Sequence, residues 1–212
     1  MLEDFAKVLA EVFPSVEPET ARRFIQAAHD KKPIPLELYS PALLSGICQA
    51  DVLGPLEFHV LNGDGKWSRT SGFGLVLSQS CDTEHDDSVI VSHGYPLKEL
   101  EKSEGERPPP SFIADIVRNL LYNLFYLPAV PGGTDLVFDL SIVSTFSITY
   151  LNEAIERGVV KRFASLSLLG YYLFVSKITV HLLRPETGVD RPRSVKAGFL
   201  DRLVQAYKIM RG

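Results

Sequence analysis

Residues 51–80 read DVLGPLEFHVL-NGDG-KWSRTSGFGLVLSQS, two apolar stretches joined by a glycine-rich turn. Asn62-Gly63-Asp64-Gly65 is a strong hairpin signal, because Asn-Gly and Asp-Gly pairs accept the positive φ of tight hairpin turns. The first stretch predicts a strand interrupted at Gly54-Pro55. The second carries Gly72 and Gly74 about Phe73 and then the buried-looking run Leu75-Val76-Leu77. A polar loop, CDTEHDD at 81–87, leads to SVIVSHGYPL at 88–97, a further strand ending at Gly94 to Pro96. Short strands at this close spacing point to a small antiparallel barrel.

The flanks read as helical. Leu2, Phe5, Val8, Leu9, Val12 and Phe13 recur at helical spacing before Pro14, and Pro18 opens a second helix through Phe24, Ile25 and Ala28. Ala42 to Cys48 predicts one more short helix. After the barrel strands, residues 98–111 (KELEKSEGERPPPS) are charged and proline-rich, the composition of a mobile surface insertion. Helix is predicted over 112–124, strand from 125 and over 136–143, a helical turn over 146–156 and a short strand over 159–163. A long apolar helix is expected over 165–183, and an amphipathic one over 195–210 on Val195, Phe199, Leu203 and Tyr207. The expected organisation is a helical extension at 1–48, a barrel domain at 49–185 with the 98–111 insertion, and a C-terminal helix at 186–212.

Composition excludes several classes. The 212 residues are 45% hydrophobic and 23% charged, which is ordinary for a globular chain and rules out whole-chain disorder. A net charge of −4 argues against a generally basic nucleic-acid coat protein. Two cysteines, Cys48 and Cys81, make neither a disulfide scaffold nor a four-cysteine zinc site. The acidic start Met1-Leu2-Glu3-Asp4 carries no basic n-region, so a cytoplasmic location is expected. Residues 164–183 are about long enough to cross a bilayer. They carry Lys177 and His181, so a buried helix is expected, with no membrane contact.

The densest polar cluster is Ser78 to Asp87, with His93 one strand later. As a catalytic set, Cys81 is the candidate nucleophile, His85 or His93 its base, and Asp82 and Ser78 the neighbours. A thiolate needs a cation or base beside it, and the surrounding carboxylates oppose its formation. As a metal set, Cys81, Asp82, His85 and His93 offer four ligands for a divalent ion, though no established zinc motif has this spacing. Otherwise no cofactor is expected. A solvated acidic turn with a half-buried cysteine reads the same residues. Cys48 is expected in the core. Trp67 is expected to pack a barrel edge, with base stacking as the alternative.

Charge is uneven. Residues 1–110 carry 10 basic and 18 acidic side chains, and residues 111–212 carry 12 and 8. The basic focus includes Arg191, Arg193, Lys196 and Arg202, which with Arg69 are the candidate contacts to nucleic acid or a partner. A solvated face paired with the acidic half is the plainer account. The apolar line of the terminal helix predicts packing across a subunit or partner boundary, hence a homo-oligomer or protein partner.

The order of these elements resembles the MazF/PemK family of SH3-like barrels. Asp51-Val52 resembles the family's "GDV" strand, Leu75-Val76-Leu77-Ser78 its "VVLS" strand, and Ser88-Val89-Ile90-Val91 the strand after it. Val137-Phe138-Asp139-Leu140-Ser141 resembles its "LDQI" strand, and Arg162 to Ser167 the entry to its last helix. The resemblance covers residues 50–185. It implies an α+β fold: a small antiparallel SH3-like β-barrel with a helical N-terminal extension and C-terminal helices. The family's ribonucleases carry an Arg-Pro pair before "VVLS" and a threonine after the next strand. Gly72-Phe73 and Ser92-His93-Gly94 stand there instead. The expectation is a noncatalytic interaction or nucleic-acid-binding protein of bacterial toxin–antitoxin or defence type, without the family's ribonuclease activity. The alternative is a nuclease or a cysteine- or metal-dependent hydrolase using residues 78–93, with Cys81, Asp82 and His93 converging at one end of the barrel.

Overall fold

The hairpin forms as its turn signal predicts, β1 (Val52–Leu61) pairing antiparallel with β2 (Trp67–Val76). The computed structural model describes residues 38–61, 63–79, 87–102, 108–132 and 134–183. All of these but Leu182 and Leu183 belong to one compact unit, Leu36–His181. Gly54-Pro55 does not interrupt β1. The strand runs through it with a bulge between Leu53 and Leu56, and the Gly54-Pro55 peptide is cis. Proline has no N–H to give a ladder, so a bulge is where a strand tolerates it.

β3 (Ser88–Pro96) is followed by α1 (Leu97–Lys102) and α2 (Pro110–Val117), then β4 (Leu124–Val130) and β5 (Thr134–Ser147). α3 (Ile148–Glu156), β6 (Lys161–Ala164) and α4 (Leu168–Leu183) complete the described chain. Ser147 caps α3, its side chain accepting from the Tyr150 N–H at 3.4 Å. The strands make one antiparallel sheet of six in the order β4-β5-β3-β2-β1-β6. The two outer strands of that order are not neighbours, so the sheet is open along its ladders. The chain is therefore α+β.

Each face of the sheet carries a buried apolar cluster. On one, Phe125, Leu127, Leu136, Phe138 and Leu140 gather with Leu75 under Phe174 of α4. On the other, Leu56, Phe58, Val89 and Val91 meet Leu151 and Ala154 of α3. Farther along that second face, Leu124, Tyr126 and Val137 meet Leu97 of α1 and Ile116 of α2.

Two local expectations are corrected. Residues 98–102 are helical, because Leu97 and Leu100 give the charged segment an apolar side that packs beside Val137. Residues 42–48 make turns instead of a helix. Gly46 has φ +67°, a left-handed conformation that breaks a helix and suits glycine. Ile47 enters the core there, while Cys48 is only half-buried. Among the described residues no helix is long and apolar enough to cross a membrane, and α4 has 16 residues. The N-terminal helices expected over 1–28 and the terminal helix over 195–210 lie outside the described residues.

Candidate functional site

Strand alternation decides what the hairpin shows outward. Leu56 and Phe58 point into the core, so Glu57, His59 and Leu61 point away from it. Their cross-strand partners are Ser71, Arg69 and Trp67. Trp67 is 70% exposed and Leu61, directly opposite, 56%. The expected packing of Trp67 against a barrel edge therefore does not occur, because the register turns it to the outward side. Arg69 forms a salt bridge with Glu57, diagonally across the ladder. Lys66 pairs with Asp64 at 3.4 Å in the turn. The outward face thus combines an aromatic ring, an aliphatic neighbour and cations that already hold exposed carboxylates.

The second feature lies on the opposite face, in the gap between the apolar clusters under α3 and under α1 and α2. Here β2 and β3 pair from Phe73 to Val76 against Gly94 to Val91, and the Leu77 N–H carries the ladder on to the Ile90 carbonyl at 2.8 Å. Gly72-Phe73 and Ser92-His93-Gly94 meet at this joint. His93 is 8% exposed and lies across from Asp139 of β5. Its ring meets Phe58 edge-on, with centroids 4.7 Å apart, and tilts against Tyr95 at 5.9 Å. It shares the space that Gly72 leaves with the Gly94 carbonyl, since a Cβ there would come within 2.5 Å of that oxygen and 2.6 Å of His93 Nε2.

Among the described residues neither ring nitrogen of His93 has a hydrogen-bond partner, and both are shut off from solvent. Burial lowers its pKa, while Asp139 and Glu99 pull it back up. The Asp139 carboxylate accepts the Ser141 N–H at 2.9 Å, and its main-chain carbonyl accepts the Ser92 hydroxyl at 2.8 Å. Tyr95 is pushed up to about 12, by burial first and then by Asp139.

Of the expected catalytic set, Ser78 and His93 are described, and they are not brought together. Ser78 accepts the Ile90 N–H at 2.8 Å, which anchors it three residues before His93 on β3. That is about 10 Å along a strand. Cys81, Asp82 and His85 lie outside the described residues, so the expected convergence on His93 does too. Among the described residues no group of three His, Cys, Asp or Glu side chains is placed to hold a metal ion. Arg191, Arg193, Lys196 and Arg202 are outside as well, which leaves Arg69 as the described member of the basic set.

Two buried charges were not among the expected site residues. Asp51, fully buried, meets Arg162 of β6 at 2.9 Å and accepts the Cys48 N–H at 2.9 Å. Burial pushes its carboxyl above the usual range, against the pull of the Cys48 N–H, Ser165 and Arg162. Lys177 of α4 is 7% exposed and donates to the Asn119 carbonyl at 2.7 Å and to that of Leu121. Burial brings it down to about 7. In the sequence they stand out as Asp51 directly before an apolar strand and Lys177 inside an apolar helix.

No family model matches the sequence, and no curated protein matches it either.

Proposed function

We propose that the chain is a noncatalytic nucleic-acid-binding protein that takes single strands on the outward face of its β1–β2 hairpin. The observation that carries this reading is Trp67, 70% exposed opposite an exposed Leu61. A large aromatic held out by a paired strand is the platform on which successive bases stack, worth about 1–3 kcal/mol per base. Arg69 and His59 sit as the next cross-strand pair on the same side. Arg69 can exchange Glu57 for a phosphate at little cost, because both groups are exposed and a surface ion pair contributes about 0–1 kcal/mol.

The noncatalytic half rests on the 78–93 segment. The His93 nitrogens are out of reach of solvent, and the Ser78 hydroxyl already accepts a main-chain N–H. An enzyme built on Cys81 and His93 is the competing reading, and the bare imidazole is the observation that favours it.

The order of elements from β1 to α4 supports the MazF/PemK-like, SH3-type reading of the fold: hairpin, third strand, two short helices and β4, then a strand carrying Asp139, short helix, strand and final helix. With it comes the reading of a cytoplasmic protein of bacterial toxin–antitoxin or defence type. A self-associating chain or a protein partner at the C-terminal helix belongs to the same proposal.

Fluorescence anisotropy with a labelled single-stranded RNA tests it. Trp67→Ala should weaken binding about tenfold, the equivalent of ~1.4 kcal/mol. Affinity should fall with salt on a shallow slope, about −0.7 for each phosphate held. The RNA should be recovered intact. Binding unchanged in Trp67→Ala, or cleavage lost with Cys81→Ala, would refute the reading.

A further inference from the structure

Antiparallel pairing turns alternate residues of β4 toward β5, and the Leu140 N–H bonded to the Asn123 carbonyl sets the phase. Phe125 and Leu127 therefore bond to β5, while Leu124, Tyr126 and Pro128 turn their main-chain groups to the outer edge of the sheet. Four of these groups are occupied from outside the ladder. The Asn119 carboxamide accepts the Tyr126 N–H at 2.7 Å and donates to the Tyr126 carbonyl at 3.0 Å, as a neighbouring strand would. The Leu124 N–H donates to the Leu121 carbonyl at 3.2 Å, and the Pro128 carbonyl accepts the Tyr39 hydroxyl at 2.6 Å. Asn119 stands at φ +55°, a left-handed conformation that asparagine tolerates. Lys177 of α4 donates to the carbonyls of both Asn119 and Leu121 and so fastens the turn that carries them.

We propose that the outer edge of β4 is a self-association edge that Asn119 holds shut: with the carboxamide withdrawn, two copies of the chain join β4 to β4, antiparallel, about a twofold axis at Tyr126. The register follows from the groups themselves. On that axis Tyr126 meets Tyr126 of the second copy, and the two exchange the N–H and carbonyl that Asn119 now holds. Leu124 then lies opposite Pro128 of the second copy, where its N–H meets a carbonyl and its own carbonyl meets no donor, because proline has none. The groups this ladder needs are the four that the free chain keeps occupied. A twofold contact uses the same surface on both copies, so it closes at a dimer.

The other edge of the sheet does not fit as the partner surface. β6 has four residues, and the chain runs on from it into main-chain bonds with residues 38–40. There the Ser40 N–H donates to the Ser165 carbonyl and the Ser167 N–H to the Leu38 carbonyl, both at 2.9 Å. β4 has seven residues, and side chains and one turn close it. Unpaired strand edges invite pairing with another chain, and a carboxamide blunts one by standing in for a peptide group. The proposal does not rest on the hairpin's nucleic-acid reading, because β5 and β3 separate β4 from that hairpin in the sheet.

Asn119→Gly in the full chain tests it, because glycine keeps the left-handed turn and removes only the carboxamide. Amide hydrogen exchange by NMR and mass by light scattering are followed together as the protein concentration rises. The unsubstituted chain should protect the Tyr126 amide at every concentration. In Asn119→Gly that amide should exchange several-fold faster in dilute solution and regain its protection as the concentration rises. Over the same range the mass should climb to about twice that of the unsubstituted chain. Asn119→Asp keeps the acceptor for the Tyr126 N–H and withdraws the donor to its carbonyl. It should show the same behaviour in weaker form, and it carries the test where Asn119→Gly does not fold. A mass equal to that of the unsubstituted chain at every concentration, or an association that leaves the Tyr126 amide fast, would overturn the proposal.

Discussion

Single buried charges make the sharpest demands on this fold. Lys177 sits inside α4, where its ammonium reaches the carbonyls of Asn119 and Leu121 in the turn before β4. The unfolded chain binds that proton near 10.5 and the folded chain at about 7. The folded pKa is depressed, so the unfolded state holds more protons between those values. Stability therefore rises as pH climbs from 7 toward 10.5. Urea unfolding should show the folded protein firmer at pH 9 than at pH 7. Lys177→Met should flatten that slope, while leaving two carbonyls without a donor at about 1–3 kcal/mol each. An identical slope in the variant would show that the lysine does not titrate in this range. Asp51 and Arg162 make the second demand, tying the 48–51 turn to β6. Arg162→Ala should destabilise by about 3–5 kcal/mol, because it strands a buried carboxylate, and Asp51→Asn in the same chain should restore part of the loss. A change in urea midpoint no larger than that of an exposed arginine, such as Arg157→Ala, would contradict this.

At the scale of elements, the hairpin was legible and its outward face was not. Asn62 to Gly65 announces a turn whatever surrounds it, since the signal lies in local backbone preference. Whether Trp67 points inward depends on its register against Leu61, and that is set by how Leu56 and Phe58 bury. The outward side chains hold no core, so Leu61→Thr and Trp67→Thr together should shift the urea midpoint by no more than about 0.5 kcal/mol of stability. A large loss would mean that the pair is packed. Helix α1 was hidden because its charges read as loop, although Leu97 and Leu100 give it a buried side. The segment 42–48 misled in the other direction. Its apolar residues suit a helix, yet the chain turns at Gly46, and Leu43 and Leu44 remain about half exposed.

Over the whole molecule, strand order and the two-faced burial of the sheet hold the account together. Most strands were legible from their apolar runs and flanking glycine and proline. Their pairing was less so, because ladders such as β3 with β5 join residues about fifty positions apart. Closure into a barrel requires the two ends of the order to meet, and the ladders leave β4 and β6 apart. The candidate site was legible only in pieces. His93 stood out as chemistry, but its partners Phe58, Gly72 and Asp139 come from three other strands and share no sequence spacing. The hairpin's role can be read from a signal that the chain itself carries, since Trp67 is its one tryptophan. Intrinsic fluorescence of the full chain, titrated with an unlabelled single-stranded RNA, reports on that ring alone. The account predicts emission open to acrylamide in the free protein, then quenched saturably by the RNA and shielded from acrylamide in the complex. Emission shielded from the start, or a Trp67 signal indifferent to saturating RNA, would contradict it.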